Sequence, residues 1–597
     1  MPRLSRLIAL PDCRIATPPE AARYELSRAR PLVRGWITTV PEPRRRDLAA
    51  LFTRRAFLRC AALTAPAAKL TEPFATPFGR LDAAAAALAD TLGAQAAALP
   101  IEEATHFIAS LYTTLLSERE RSAFGAFYTP HALVSRLLAL AEEGGLNWKT
   151  ARILDPASGG GAFLLPAATR MRAALEGTDA AVILAQLETR LKGLELDPHA
   201  AWFSQAALDL LFSDLAMAAG RSVPQLVKVC DTLEEPASPN YDLVIGNPPY
   251  GRVTLTPEQR ARFARSLYGH ANLYGVFTDV AVRWTKPQGM IAFLTPTSVL
   301  GGQYFAALRR LLAVEAPPEA IDFVCSRRGV FEDALQETLL ALYRKGGSPG
   351  PVQVHYLQVA SEREARVQRN GTVSLPKSAA QPWLAPRSPE QSKIAAAAAG
   401  MPARLADWGY AVSTGPLVWN RFKSQLRHKP AKGSYPLIWA EAVTPDGRFL
   451  YRAEKKNHAP YFHAEKCDEW LIMREPAVLV QRTTAKEQAR RLIAAELPAS
   501  FLSVHGAVVV ENHLNMIRAE GVPKVSPAAL AAVLNSAVVD QVFRCISGSV
   551  AVSAFELEAI PLPSSKAMAS IERLVARGAS RKAIDAALAA LYGVAAQ

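Results

Sequence analysis

The stretch ILDPASGGGAF, residues 153–163, joins a short apolar run to three consecutive glycines. The apolar run predicts a buried strand that ends at Asp155, and the glycines predict a sharp turn into a helix. Because glycine has no side chain, Gly159 and its neighbours let the backbone approach a ligand closely. Such a turn is typical of nucleotide-binding folds, although some purely structural turns share it.

Similar apolar runs recur along the chain, separated by stretches with helical spacing. They are ARILDP, LKGLELD, VKVCDT, YDLVIGNPPY, GMIAFLTP, AIDFVCS and TLLALYR, between residues 151 and 344. Strands that alternate with helices predict an α/β fold with a doubly wound, mainly parallel sheet. In such sheets ligands bind beyond the carboxyl ends of the strands, so the polar residues at those ends are the candidate site.

Two later strands also end in a carboxylate. Glu195 ends the run LKGLE, where it can accept hydrogen bonds from both hydroxyls of a ribose. Asp231 ends the run VKVCD, where it can accept a hydrogen bond from an adenine amino group. Either acid alone is more typical of a helix N-cap or a solvated turn. Three acidic strand ends in order favour a pocket for a nucleoside cofactor.

The most specific motif is VIGNPPYG, residues 244–251, in which an apolar strand runs into Asn247, Pro248, Pro249 and Tyr250. The two prolines fix the direction of the backbone. The side-chain oxygen of Asn247 and the carbonyl of Pro248 can then accept hydrogen bonds from one exocyclic amino group, and Tyr250 offers a face for an unstacked base. The motif predicts direct displacement at an amino nitrogen, without a covalent nucleophile or a metal.

These motifs and their order resemble the gamma class of adenine-N6 DNA methyltransferases, in particular the Taq type. The resemblance is dense from about residue 121 to 344 and includes NLYGVFTDVAVRWTKPQGMIAFLTPTSVL (272–300) and RRGVFEDALQETLLALYR (327–344). It implies a Rossmann-like class I methyltransferase domain with S-adenosylmethionine as cofactor. It also implies a substrate adenine that is flipped out of double-stranded DNA.

The resemblance assigns roles to individual residues. Asn247, Pro248 and Tyr250 are expected to be catalytic, with Tyr250 and Phe331 stacking on the two faces of the target base. The residues expected to bind the cofactor are Thr129, Asp155, Ala157, Gly159, Glu195, Asp231, Pro249 and Phe277. The chain departs from the family in reading Ser158 where cysteine is frequent, and in a longer gap between Asp155 and Glu195, which predicts a longer intervening helix.

Composition divides the chain into five segments. They are a helical N-terminal region (1–118), the methyltransferase domain (119–346), a linker rich in Gly, Ser, Pro and Ala (347–400), a mixed α+β target-recognition domain (401–565) and a helical tail (566–597).

The fourth segment contains a basic block. Between Arg421 and Lys456, nine basic residues accompany three acidic ones, with aromatic residues interleaved. Such a block is typical either of a solvated face or of a surface that positions phosphates. Its place after the methyltransferase motifs favours DNA recognition, with Arg421, Lys423, Lys455 and Lys456 as the expected DNA-binding residues.

The bulk properties agree with this interpretation. The net charge of +14 suits a polyanionic partner. The six cysteines are scattered without metal-ligand spacing, which favours a reducing cytoplasm and predicts no metal site. No apolar window reaches the length of a membrane span. We therefore expect a cytoplasmic monomer that acts on double-stranded DNA, with a separate cognate restriction endonuclease acting on the same site.

Three other functions stay open. The NPPY loop also occurs in methyltransferases that act on RNA or on protein glutamine. A combined restriction-modification enzyme would carry a nuclease near its N-terminus, and residues 1–120 show no convincing Asp…Glu-x-Lys pattern. A nucleic-acid-binding protein with a degenerate methyltransferase domain is disfavoured by the intact motif from Asn247 to Tyr250.

Overall fold

The computed structural model describes residues 19–124, 129–324, 337–361, 363–376, 378, 381–484, 489–547 and 551–595. The N-terminal part is helical, as predicted. Its helices are α1 (Pro19–Ser27), α2 (Ala29–Ile37), α3 (Glu42–Thr64), α4 (Ala83–Ala96), α5 (Ile101–Leu115) and α6 (Glu118–Phe124). Asp82 caps the N-terminus of the alanine-rich α4, because its side chain accepts a hydrogen bond from the Ala85 amide at 2.7 Å.

All seven predicted strands form between residues 151 and 344. The elements are α7 (His131–Glu143), β1 (Ile153–Asp155), α8 (Leu164–Ala174), α9 (Ala180–Arg190), β2 (Leu191–Glu195), α10 (Pro198–Leu211), α11 (Ser213–Ala219), β3 (Val227–Val229), β4 (Tyr241–Gly246), β5 (Arg252–Val253), α12 (Pro257–Arg262), β6 (Ala271–Asn272), α13 (Leu273–Trp284), β7 (Thr285–Pro296), α14 (Ser298–Gly301), α15 (Ala306–Glu315), β8 (Pro318–Val324) and β9 (Thr338–Arg344).

Two more strands, β10 (Val352–Val359) and β11 (Ala365–Val373), complete a sheet with the order β11-β10-β8-β9-β7-β4-β1-β2-β3. β1 pairs in parallel with both β2 and β4, β4 with β7, and β2 with β3. β9 runs antiparallel between β7 and β8. The predicted doubly wound, mainly parallel sheet is therefore confirmed. The strand order reverses at β1, which opens a crevice at the carboxyl ends of β1 and β4.

The presence of β10 and β11 corrects one expectation, since residues 347–400 were predicted to be a linker. The Gly- and Pro-rich run at 346–351 is only the turn that leads into β10. Val352, Val354 and Tyr356 of β10 are buried, and β10 pairs in parallel with β8. β11 is an edge strand whose side chains are mostly exposed, so it shows no apolar alternation that would reveal it in the sequence.

The N-terminal helices pack directly on the methyltransferase sheet. Phe57 of α3 contacts two aromatic rings of α10, with centroid distances of 5.9 Å to Trp202 and 5.0 Å to Phe203. Buried residues from α1 to α5 belong to the same hydrophobic core as those of α8, α10 and the sheet. The helical region is thus one face of the methyltransferase core and not a separate globule.

The C-terminal part contains short strands and helices, as predicted. They are α16 (Ser392–Ala399), β12 (Tyr410–Thr414), β13 (Leu426–Arg427), β14 (Ser434–Ile438), β15 (Tyr461–His463), β16 (Ile472–Met473), β17 (Ala477–Gln481), β18 (Ala494–Leu497), α17 (Ala499–His505), β19 (Val508–Val510), β20 (Leu514–Ala519), α18 (Pro527–Leu534), α19 (Ala537–Ile546), α20 (Ala554–Glu558), α21 (Ala569–Ala576) and α22 (Arg581–Leu591). The strands form two sheets, ordered β12-β20-β17-β18 and β13-β15-β14-β19-β16. Two short helices make up the tail, as expected.

Among the described residues, no single helix has both the length and the apolar character of a membrane span. One bent pair, α18 followed by α19, passes that test when the two helices are taken together, on length and composition alone.

A buried ionic network ties α7 to the far strands of the sheet. The carboxylate of Asp322 on β8 is fully buried and accepts a hydrogen bond from Arg136 Nε of α7 at 2.6 Å. Its other oxygen lies 2.7 Å from His355 Nδ1 of β10. Since an unpaired charge in the interior is costly, the three groups depend on one another.

We predict that Asp322→Ala lowers the free energy of unfolding by about 3–5 kcal/mol, because Arg136 is left buried without its partner on β8. Chemical denaturation measures the change. Glu188→Ala is the matched control: it breaks the exposed pair with Arg221 and should cost at most about 1 kcal/mol. Equal effects of the two variants would show that the buried network does not hold α7 to the sheet.

Candidate active site

The site is built where the strand order reverses. β1 and β4 lie side by side in parallel, with Ile153 opposite Leu243 and Leu154 opposite Val244. Asp155 ends β1, and Asn247 follows directly after β4. The two residues that the sequence singled out, 92 positions apart, therefore meet at one edge of the sheet.

The glycine loop after β1 turns into α8 beside β2. The amide of Ser158 donates to the Leu194 carbonyl at 2.9 Å, which fixes the loop to the end of β2. Gly159 and Gly161 have φ of +51° and +85°, a region that favours glycine. A Cβ at Gly161 would lie 2.8 Å from Ser204 Oγ, whereas a Cβ at Gly159 would meet open space. Gly161 serves packing, and Gly159 leaves its backbone accessible.

Two carboxylates lie under this loop. The Asp155 side chain is fully buried: Oδ1 accepts from the Ala157 amide at 3.1 Å, and Oδ2 accepts no hydrogen bond within the described part of the chain. Burial raises the pKa of Asp155 to about 8. Glu195 accepts from the amide of Gly159 at 2.8 Å and from that of Asp197 at 2.9 Å. Burial raises its pKa to about 7, although these backbone hydrogen bonds oppose the shift.

A pocket opens at this edge and gathers six of the predicted residues. They are Thr129, Ala157, Gly159, Glu195, Asn247 and Pro249. Asp155 forms the floor beneath the loop without lining the pocket. Phe331 lies outside the described residues.

Two predicted cofactor residues are placed elsewhere. Asp231 follows the end of β3 by two residues, is exposed, and accepts a hydrogen bond from the Leu233 amide at 2.9 Å, as in an ordinary turn. Phe277 of α13 is 7% exposed and packs in the hydrophobic core on the sheet. Neither is part of the described pocket lining, so their roles stay predictions.

The N-terminal helices supply a wall that the sequence did not reveal. The hydroxyl of Tyr112 on α5 donates a hydrogen bond to the Asp197 carboxylate at 2.6 Å, and Arg46 of α3 donates to the same carboxylate at 3.2 Å. Both Asp197 and Tyr112 line the pocket beside Glu195. These contacts join residues that are 85 and 151 positions apart in the chain. Their one signal in the sequence is a second acid, Asp197, two residues after Glu195.

The motif Asn247 to Tyr250 forms a hydrogen-bonded unit. Asn247 Nδ2 donates to Thr129 Oγ1 at 2.9 Å, and Asn247 Oδ1 accepts from the Tyr250 hydroxyl at 2.6 Å. The amide orientation is therefore set, with nitrogen toward Thr129 and oxygen toward Tyr250. Burial raises the pKa of Tyr250, so its hydroxyl remains a donor. Pro248 is buried in the turn between them.

The predicted DNA-binding residues lie on the surface of the C-terminal part. Arg421, Lys423, Lys455 and Lys456 are all exposed. Lys423 Nζ lies 5.6 Å from the centre of the Trp419 ring, and Lys455 Nζ lies 3.9 Å from a carboxylate oxygen of Glu441. Their exposure leaves them available to a ligand.

The chain is similar to known proteins. Residues 215–331, which include β4 and the Asn247 motif, match the family model of the Eco57I restriction-modification methylase. The chain is 28% identical over 351 residues to the type II methyltransferase M.PstI of Providencia stuartii, covering 58% of this chain and 69% of that protein. It is 25% identical over 469 residues to M.BsuBI of Bacillus subtilis, covering 76% and 91%.

The prediction of a restriction-modification DNA methyltransferase is confirmed. Its predicted cofactor, S-adenosylmethionine, is confirmed with it. Among solved structures, the type IIL restriction-modification enzyme MmeI in complex with DNA aligns with 13% identity and a TM-score of 0.48, over 87% of this methyltransferase and 83% of that chain. The class I methyltransferase fold itself is evident from the strand order described above.

The residues of the pocket fit that cofactor. The carboxylate of Glu195 lines the pocket and is an acceptor for hydroxyl groups, and the open space at Gly159 admits a ligand against the backbone. Thr129 and Asn247 also line the pocket and are hydrogen-bonded to each other. A cofactor held by these residues would lie between the β1 and β2 ends and the turn after β4.

We predict that cofactor affinity rises with pH through about 7. Glu195 is protonated below its raised pKa of about 7, and only the carboxylate accepts both hydroxyls of a ribose. Affinity should therefore fall by about tenfold for each pH unit below 7. Calorimetric titration at pH 6, 7 and 8 measures this change, and Glu195→Gln should reduce the slope by about one proton. A wild-type affinity that is constant from pH 6 to 8 would contradict the assignment.

Proposed function

We propose that this methyltransferase transfers a methyl group to the N6 amino group of adenine at a specific site in double-stranded DNA. The observation that carries the proposal is the orientation of Asn247, which lines the pocket with its amide nitrogen bonded to Thr129 and its amide oxygen toward Tyr250. In the proposed complex this oxygen and the carbonyl of Pro248 are the two acceptors for an amino group with two hydrogens.

The proposed chemistry uses few groups. S-adenosylmethionine supplies a methyl group bonded to a positively charged sulfur. Asn247 Oδ1 and the Pro248 carbonyl accept hydrogen bonds from the adenine amino group, which directs its lone pair at the pocket. These acceptors bind more strongly as positive charge develops on the nitrogen. After transfer, the nitrogen loses one proton to solvent, so the enzyme needs no covalent intermediate.

Among the described residues near this edge, Cys230 is not suited to act as a nucleophile. Cys230 follows β3, and burial raises its pKa to about 11. It is therefore a thiol at neutral pH, whereas methylation at carbon 5 of cytosine requires a thiolate. This supports an exocyclic amino group as the acceptor of the methyl group.

Target access requires that the base leave the duplex. In this structure the Tyr250 hydroxyl donates to the acceptor that the adenine amino group needs. In the proposed complex the amino group replaces that hydroxyl, and the Tyr250 ring turns to stack on the flipped base. The roles of Asn247 and Tyr250 are therefore distinct and separable.

We predict different defects for the two residues. Asn247→Ala should slow single-turnover methylation by about a hundred- to a thousandfold while base capture changes little. Tyr250→Ala should weaken capture of the flipped base by about 1–3 kcal/mol. Tyr250→Phe keeps the stacking face and should stay largely active. Rapid-mixing assays with 2-aminopurine at the target position report both steps. A wild-type rate of methylation by the Asn247→Ala variant would contradict the proposal.

We also propose that the C-terminal part reads the DNA. The supporting observations are its excess of basic residues and their exposure. Neutralising Lys455 and Lys456 together should weaken DNA binding at every sequence, and should reduce the slope of log affinity against log salt by about 1.8 if both contact phosphates. Fluorescence anisotropy from 50 to 300 mM salt measures the slope. An unchanged slope would identify this stretch as a solvated face.

One experiment separates the alternatives for the substrate. Tritiated cofactor is incubated with plasmid DNA, with RNA or with a bacterial protein extract, and the labelled product is hydrolysed and identified. N6-methyladenine from DNA is the expected result. N4-methylcytosine, methylated RNA or methylglutamine would each overturn the adenine assignment.

We further propose a cytoplasmic monomer with a separate cognate endonuclease, as expected from the sequence.

A further inference from the structure

Helix α5 has pockets on two of its faces. Ala109, Tyr112 and Thr113 line the cofactor pocket. Glu103 and Phe107, on another face, line a second cavity of about 540 Å³. This second cavity, which we name the arginine cavity, is bounded by α1, α2, α5, the start of α7 and the β10–β11 turn.

Cations dominate the lining of the arginine cavity. Arg23, Arg30, Arg34 and Arg363 line it, and Glu103 is the one carboxylate in the lining that the structure describes. The formal charge of these groups is +3, four arginines less one glutamate. A concave surface with low-dielectric walls and an excess of one sign of charge concentrates counter-ions. The cavity is therefore suited to an anion.

Glu103 is an internal counter-charge for two of these cations. Its carboxylate accepts from Arg23 at 2.7 and 3.0 Å, and Arg363 Nη1 lies 3.2 Å from the same group. The two arginines come from α1 and from the β10–β11 turn, so one carboxylate joins distant parts of the chain. The Arg363 side chain is still 46% exposed, which leaves it accessible to a ligand.

Two histidines add neutral hydrogen-bonding groups. Burial lowers the pKa of His106 to about 3, and burial also lowers the pKa of His131, with Arg363 adding to the effect. Both rings are therefore neutral at pH 7. Leu26, Leu99 and Phe107 supply an apolar wall. Guanidinium groups, neutral rings and an apolar wall together suit a nucleotide better than a bare inorganic ion.

Two hydrogen bonds connect the arginine cavity to the motif that begins at Asn247. His106 is hydrogen-bonded to the backbone of Thr129, and the Thr129 side chain accepts from Asn247. The β10–β11 turn is also at the carboxyl edge of the sheet, because β10 runs parallel to β8. A strand of DNA with its target base at Asn247 would bring its own phosphates near this edge.

We propose that the arginine cavity binds a phosphate group, and that in the DNA complex this is a backbone phosphate next to the flipped nucleotide. The phosphate is held by Arg363 and Arg23, in competition with Glu103. Arginine suits this role because its planar fork matches the oxygens of a phosphate. The DNA part of this statement rests on the proposed function, whereas the phosphate part does not.

Three single variants of the full-length chain test the cavity. Arg363→Gln removes one phosphate ligand and should weaken phosphate binding by about tenfold. Glu103→Gln removes the competing charge and should strengthen it, an effect opposite to that of losing a merely structural contact. Arg221→Gln is the control. This arginine is 40% exposed and lies 3.1 Å from Glu188, and it precedes β3, at the amino edge of the sheet.

The first arm uses a free ligand. Thymidine 5′-monophosphate is titrated by calorimetry against each variant, with thymidine as the control that lacks phosphate. The second arm uses a fluorescein-labelled 30-base-pair duplex and measures the slope of log affinity against log salt. Arg363→Gln should reduce that slope by about 0.9, and Arg221→Gln should leave it unchanged.

The outcomes separate the sources of the phosphate. A response in the duplex arm, with or without the nucleotide arm, supports a backbone phosphate. A response to thymidine monophosphate alone supports the cavity but assigns it to a free nucleotide and overturns the DNA source. No response in either arm, or weaker binding by Glu103→Gln, overturns the proposal. Failure of the wild type to methylate DNA would overturn the proposed function and leave the nucleotide arm interpretable.

Discussion

The parallel pairing of β1 with both β2 and β4 determines the arrangement of the site. Parallel strands end at the same edge, so Asp155, Glu195 and the turn from Asn247 to Tyr250 converge although they lie in separate parts of the chain. The reversal of strand order at β1 leaves a crevice there without any special loop. The glycine turn, the pocket and the orientation of Asn247 all depend on this register.

The N-terminal helices complete what the sheet begins. Tyr112 and Arg46 both hold the carboxylate of Asp197, which in turn hydrogen-bonds through its amide to Glu195. The cofactor pocket is thus closed by a layer that precedes the methyltransferase motifs in sequence. Removing that layer would expose aromatic residues of α10 as well as one wall of the pocket, so the two parts form a single unit of stability.

The sequence was informative wherever the determinant is local. Short apolar runs predicted the seven strands, and the prolines beside Asn247 predicted a rigid turn at a strand end. The wall at Tyr112 could not be predicted, because contacts between residues 85 positions apart have no periodic signature. β11 was missed because an exposed edge strand lacks apolar alternation. Asp231 fits the same pattern as Glu195 in sequence, yet two further residues after β3 place it in a surface turn.

The hydrogen bond between Tyr250 and Asn247 has a consequence for discrimination among bases. Because the hydroxyl already donates to the amide oxygen, entry of a base under the proposed function is an exchange in which one donor leaves and another replaces it. Adenine and cytosine bring an exocyclic amino donor, so the number of hydrogen bonds is conserved. Thymine brings a carbonyl oxygen to the same position, and two facing acceptors repel. Under the proposed function, the Tyr250 hydroxyl thus favours entering bases that bring a donor to Asn247 over bases that bring an acceptor.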